Sequence, residues 1–303
     1  MEAIKQIVTS KGVMGLIEPT IKAFAPLLQS RRGAIESTTR KTFQFGATER
    51  QSLDVYYPEL SSDSPKPPIL LFFYGGGLTY GNRIFPAPLD LVFKNCGAFF
   101  ASRGILTVIP DYRLAPQAVY PEPVEDLRDA FRYVIANLGD AGDTKRVYLT
   151  GHSVGGSLLL SMLLSENPRF IEHEELKRHV KGIVPRGAGC AFDLIPPPVV
   201  SVYHTFYGSQ EKSVTLSPLG LLKEASQKTL DALPPMLIIQ AEDEPPFVST
   251  PLKGFNALFE ERTGKKIEVK VAEGHNHISV NMALNSGEGE QWGEELVKWV
   301  KDN

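Results

Sequence analysis

The chain has 303 residues, 42 % of them hydrophobic and 22 % charged, which is enough apolar material for a sizeable core. Its 32 basic and 35 acidic side chains leave a formal charge of −3, which argues against nucleic-acid binding, a function that draws on a strongly basic surface. The two cysteines, Cys96 and Cys190, form neither a disulfide framework nor a zinc motif and read as buried thiols in a reducing compartment.

Residues 1–30 lack the basic start and unbroken apolar run of a secretory signal, and read instead as a broken amphipathic helix. Ile4, Ile7, Val8, Leu16, Ile17, Ile21, Phe24, Leu27 and Leu28 supply the apolar side, and Lys5, Lys11, Lys22, Arg31 and Arg32 the charge. Such a segment either packs over the rest of the molecule, which is the expectation, or rests on a membrane surface. The longest apolar run, residues 69–74, is far short of the roughly 20 residues needed to span a bilayer. A cytoplasmic protein with no transmembrane segment is therefore expected.

From residue 66 onward, short apolar runs alternate with helical patterns. The runs are 69–74 (ILLFFY), 106–109 (LTVI), 147–150 (VYLT), 183–184 (IV), 236–240 (MLIIQ) and 267–271 (IEVKV). Nearly continuous apolar character suits strands covered on both faces. Between them, residues 124–137 carry an apolar stripe at Val124, Leu127, Phe131 and Val134, and 154–166, 252–263 and 291–301 are also periodic. The alternation predicts a parallel α/β sheet with right-handed crossovers. Two stretches break the rhythm, 1–40 and 190–230. The second carries Pro196, Pro197, Pro198, Tyr203, Phe206 and Tyr207. Both are expected to cap one end of the sheet within a single domain spanning 1–303.

The sharpest chemical signal is Gly151-His152-Ser153-Val154-Gly155-Gly156, between the VYLT run and a helical pattern. Strand, G-x-S-x-G, helix is the context of a nucleophile elbow, so Ser153 is the candidate nucleophile. Gly75, Gly76 and Gly77 end the run at 69–74, where backbone amides can approach a ligand closely. With the amide of Val154, those of Gly76 and Gly77 are candidate oxyanion donors. His277, with His275 as its neighbour, follows the last strand and is the candidate base. After the run at 236–240, Glu242, Asp243 and Glu244 offer three carboxylates to orient it; Asp243 leads, with Glu244 as the alternative acid.

Together these motifs resemble the α/β-hydrolase superfamily, and within it the hormone-sensitive-lipase-like carboxylesterases. Asp111-Tyr112-Arg113-Leu114-Ala115-Pro116 and the segment from Tyr120 to Asp126 carry the likeness further, and it runs from about residue 55 to the C-terminus. The resemblance implies an eight-stranded, mostly parallel sheet with a helical cap. It also implies Ser153, Asp243 and His277 as catalytic residues, with Gly76, Gly77 and Val154 as the oxyanion hole. Two motifs depart from the family pattern. Tyr74 replaces the first histidine of H-G-G-G, and His152 and Val154 replace Asp and Ala of G-D-S-A-G-G. Tyr74 either supports the loop or reaches the substrate.

The expected function is hydrolysis of small apolar or aromatic carboxylic esters through an acyl-enzyme, with no metal or organic cofactor. A lactone or formamide/amide hydrolase uses the same triad. A non-catalytic small-molecule receptor on this scaffold is the alternative of another class. The expected partner is an ester-like small molecule, with peripheral membrane contact as a lesser alternative, and the chain is expected to be a monomer or homodimer.

Overall fold

The computed structural model describes residues 1, 4, 7, 12–61, 63–195, 197 and 199–303. Parts of the two interrupting stretches, among them Lys5, Val8, Lys11, Pro196 and Pro198, lie outside the described residues.

Eight strands form one sheet: β1 (Arg40–Gln44), β2 (Ser52–Tyr56), β3 (Pro68–Phe73), β4 (Leu106–Pro110), β5 (Asp143–His152), β6 (Val180–Arg186), β7 (Leu237–Asp243) and β8 (Glu268–Asn276). Their order is β1-β2-β4-β3-β5-β6-β7-β8. The pairs β1–β2 and β2–β4 are antiparallel, and the rest are parallel. Each of the six runs read from sequence overlaps a strand, and several of the strands are longer than the runs. β1 and β2 did not stand out as runs: β1 is mostly exposed and polar (RKTFQ), while β2 is fully buried yet interrupted by Asp54.

The central strands are buried from end to end; PILLFF of β3 and LTVIP of β4 have no exposed residue. Helices cover both faces. They are α3 (Lys94–Ala101), α4 (Glu122–Asn137), α5 (Val154–Leu164), α11 (Pro246–Thr263) and α13 (Gln291–Asp302). In α4 the stripe at Val124, Leu127, Phe131 and Val134 is buried, as its 3.6-residue period requires. Helix α5 is buried all round, which fits its run of leucines. Helix α11 starts earlier than its periodicity suggests, because Pro246 is compatible with a first helical position. Both thiols are buried, and burial pushes Cys96 up to about 12.

The two interrupting stretches are helical. The first holds α1 (Gly12–Ser30) and α2 (Arg32–Glu36). The second holds α7 (Val199–Tyr207), α8 (Gln210–Thr215), α9 (Pro218–Glu224) and α10 (Gln227–Ala232). The remaining helices are α6 (His173–His179) and α12 (Ser279–Ala283). Helix α1 buries Leu16, Thr20, Phe24, Ala25 and Leu28. Phe24 and Leu28 join a cluster with Ile35, Leu91, Ala98, Met282 and Ala283, so this apolar face is used inside the molecule. Among the described residues, no helix is long and apolar enough to cross a membrane.

Close packing makes a direct test. A Cβ added at Gly97, on α3, would lie 2.4 Å from the ring of Tyr56 on β2. Gly97→Ala is expected to lower the unfolding free energy by about 1–3 kcal/mol, measured by urea denaturation, whereas a wild-type value would contradict this packing.

Candidate active site

The site stands at the C-terminal ends of β3, β5, β6, β7 and β8, where loops of a parallel sheet meet. Ser153 follows β5 and opens α5 with φ 53° and ψ −124°, a backbone conformation that non-glycine residues rarely adopt. Its neighbours explain the motif. A Cβ at Gly151 would meet the Gly155 carbonyl oxygen at 2.5 Å. One at Gly155 would meet the carbonyl oxygens of Phe73 and Tyr74, each at 2.3 Å. The Ser153 N–H donates to the Arg186 carbonyl on β6 (2.9 Å), which anchors the turn to the sheet.

Ser153 Oγ lies 2.9 Å from His277 Nε2, and His277 Nδ1 lies 2.7 Å from Glu244 Oε2. A carboxylate only accepts, so the proton is on Nδ1 and Nε2 is left to accept the serine hydroxyl. His277 and Glu244 are buried. The carboxylate facing the imidazole is thus that of Glu244, not of the expected Asp243. Strand β7 continues through Asp243, which pairs in register with Asn276 of β8 and has an exposed side chain. Glu244 is the first residue beyond the strand, and the chain turns it inward. Gly187 (φ 50°) makes room for it: a Cβ there would lie 2.6 Å from Glu244 Oε1 and 3.2 Å from the His277 ring. His275 is not part of this line; its ring bonds to Ser279 Oγ (2.9 Å) and the Gly289 carbonyl (2.7 Å).

The loop 75–77 presses against the elbow: a Cβ at Gly75 would lie 2.8 Å from Ser153 Cβ. Gly76 and Gly77 have φ of 151° and 62°, and a Cβ at Gly76 would collide with the Tyr80 carbonyl at 1.7 Å. The Val154 amide is the first of α5, where no intrahelical acceptor exists. Behind the loop, Tyr74 is fully buried between the rings of Phe93 and Tyr112, both 5.1 Å away. Its hydroxyl donates to Asp111 and accepts from Arg50 Nη2 (3.0 Å). Burial first, then the Asp111 charge, push its pKa well above the usual tyrosine value. The Tyr112 hydroxyl donates to the Tyr74 carbonyl (2.8 Å), and Arg50 also donates to the Gly81 carbonyl (2.9 Å).

Two residues outside the motif reading of the triad complete the floor. His152, inside the elbow motif, donates from Nε2 to the His277 carbonyl (2.9 Å), with the two rings 4.7 Å apart. Arg186 is buried on neutral groups, Thr150 Oγ1 (3.1 Å) and Asn281 Oδ1 (3.0 Å), with the faces of Phe72 and Trp292 at 4.4 and 5.0 Å. Burial lowers its pKa to about 10, so it remains a cation at neutral pH. No sequence motif marks Arg186, since its partners come from β5, α12 and distant aromatics. Beside α5, the ring of Phe192 lies 4.6 Å from that of Tyr203 and 5.5 Å from that of Tyr207, and Ser157 ties α5 to the Gly189 carbonyl (2.7 Å).

The architecture has known counterparts. A family model for the alpha/beta hydrolase fold matches residues 70–280, more than half of the chain. The chain belongs to the α/β-hydrolase family. Among curated relatives, esterase LipI of Mycobacterium tuberculosis is 32 % identical over 105 residues, 34 % of this chain and 31 % of that one. Isoprenylcysteine α-carbonyl methylesterase ICME of Arabidopsis thaliana is 28 % identical over 145 residues, 48 % of this chain and 32 % of that one. The chain thus spans about a third of the length of these relatives. In fold, the chain resembles esterase B from Lactobacillus rhamnosis, with a TM-score of 0.71, 93 % of each chain covered and 16 % identity.

The state of His152 is open to measurement. Burial, followed by the neighbouring His277 and the Arg186 charge, holds its pKa well below the ordinary histidine value. The unfolded chain takes up that proton as pH falls through about 6.5, while the folded side chain stays neutral. Stability from this group is therefore complete above that pH and lost on acidification, by up to about 1.4 kcal/mol per pH unit. His152→Gln keeps an amide donor for the His277 carbonyl but does not titrate. Urea unfolding from about pH 7 to about pH 5 should show a smaller loss of stability in this variant than in the wild type. Equal losses would contradict a neutral buried His152.

Proposed function

We propose that this protein is a serine hydrolase that cleaves carboxylic esters through an acyl-enzyme. The observation that carries the proposal is the unbroken line from Ser153 Oγ through the His277 imidazole to Glu244. The esterase names of the relatives support the same chemistry.

In this mechanism the Ser153 hydroxyl attacks the ester carbonyl carbon while His277 Nε2 takes its proton. The carbonyl oxygen becomes an oxyanion, held by the amides of Gly76, Gly77 and Val154. Each such donor is worth about 3 kcal/mol of transition-state stabilisation. The Glu244 carboxylate keeps the Nδ1 proton in place and stabilises the imidazolium. Collapse of the intermediate breaks the ester C–O bond, and the imidazolium returns its proton to the leaving alkoxide, releasing the alcohol. Water then repeats the sequence on the acyl-enzyme: His277 takes a proton from it, and the acid is released with Ser153 restored.

Tyr74 supports the oxyanion loop in this account, because Asp111 and Arg50 occupy its hydroxyl. The helices of 12–36 and 199–232 act as a cap on one catalytic domain. The aromatic group of Phe192, Tyr203 and Tyr207 beside α5 favours small apolar or aromatic esters.

Kinetics with p-nitrophenyl acetate test the assignment of each group. Ser153→Ala should abolish turnover above the uncatalysed rate. Glu244→Gln should lower kcat by about a hundredfold or more, while Asp243→Asn stays within about threefold of wild type. The reverse order of these two variants would overturn the choice of acid, and an active Ser153→Ala would overturn the mechanism. A parallel set of lactones and formamides reads the preferred acyl-transfer substrate.

A further inference from the structure

The turn that carries His277 has its own internal geometry. Asn276 Oδ1 accepts the N–H groups of Ile278 and Ser279, each at 3.0 Å, and so closes the turn around His277 and starts α12. The Asn276 N–H donates to Ser279 Oγ (3.0 Å) in return. With its oxygen committed, the amide presents Nδ2 on the other side. There it donates to Thr20 Oγ1 of α1, 3.1 Å away. Asn276 is 1 % exposed and Thr20 fully buried, so no solvent replaces this bond if it is lost.

Thr20 stands far from the site in sequence and belongs to a helix that contributes nothing to the sheet. Its neighbours Leu16 and Phe24 are buried on the same face. The hydroxyl is the one polar group among the five buried side chains of α1, and it meets the residue immediately before the proposed base. A helix that served only to cover apolar surface has no need of that hydroxyl; valine would fill the same space.

We propose that Thr20 is a positioning residue for the His277 imidazole: the N-terminal helix, through the Asn276 amide, fixes the turn that aims Nε2 at Ser153. Catalytic competence then depends on the docking of residues 12–30, and the N-terminal helix is a working part of the reaction centre as well as a cover. This rests on the hydrolase reading above. Losing the anchor leaves the Asn276 amide unsatisfied and lets the turn relax, which lengthens the proton path between Oγ and Nε2. Positional errors of about 1 Å in such a path lower rates by up to about a hundredfold.

The test compares Thr20→Val, Thr20→Ala and Thr20→Ser in the full chain, with p-nitrophenyl acetate as substrate. Functional sites are titrated with a fluorophosphonate, so that kcat is expressed per competent serine and partial misfolding drops out. The expected result is a kcat per site lower by about tenfold in Thr20→Val and Thr20→Ala, with KM within about twofold of wild type. Thr20→Ser, which restores the hydroxyl, should recover most of the rate. A wild-type kcat per site in Thr20→Val, even with less folded protein, would overturn the inference, as would a serine variant as slow as the valine one. An inactive wild-type protein would overturn the hydrolase reading itself, whereas an active wild type with unaffected Thr20 variants would overturn this inference alone.

Discussion

The backbone of Ser153 is the constraint around which the rest of the site is built. A serine held at φ 53° and ψ −124° stores strain of about 1–3 kcal/mol and persists only where its surroundings leave no alternative. Strand β5 enters the turn in parallel register, with His152 opposite Arg186, and α5 leaves it as a fully buried helix. The Arg186 carbonyl takes the Ser153 amide, and the Phe73 and Tyr74 carbonyls come so near Gly155 that no side chain fits. The same crowding brings the Gly75–Gly77 loop against the serine. Strain at one residue and close approach of three backbone segments are thus a single packing solution.

The opposite wall is the turn at His277, held from several directions. Glu244 orients the ring, His152 holds the carbonyl of the same residue, and Asn276 closes the turn and reaches α1. These contacts differ in electrostatic character. Glu244 supplies charge, while His152 stays neutral under burial and under the nearby cation of Arg186. A second imidazolium 4.7 Å from His277 would oppose protonation of the proposed base, and the buried environment prevents it. Arg186 rests on the oxygens of Thr150 and Asn281 and on the ring faces of Phe72 and Trp292, so dipoles and π-faces stabilise its charge.

Much of this was legible in the sequence because local motifs encode it. The elbow, the three glycines after β3 and the histidine after β8 each combine residue type with position relative to an apolar run. The strands with continuous apolar character were visible for the same reason, while β1 was hidden by its polar, exposed side chains. The carboxylate facing His277 is that of Glu244, the alternative to Asp243. Three consecutive acidic side chains look alike, and only the sheet pairing of Asp243 with Asn276 shows that the strand ends there and that Glu244 is the residue turned inward. Arg186, Thr20 and Asn276 were not marked at all. Their roles lie in contacts across 256, 95 and 36 positions of chain, and no local pattern records such pairs.

The central claim is that Ser153 is an activated nucleophile, and covalent labelling tests it most directly. The intact protein is treated with a fluorophosphonate, and the adduct is located by peptide mass spectrometry. The account predicts one adduct per folded chain, on the peptide holding Ser153, and none in Ser153→Ala. An adduct on another residue, or a folded protein that takes no label, would contradict it.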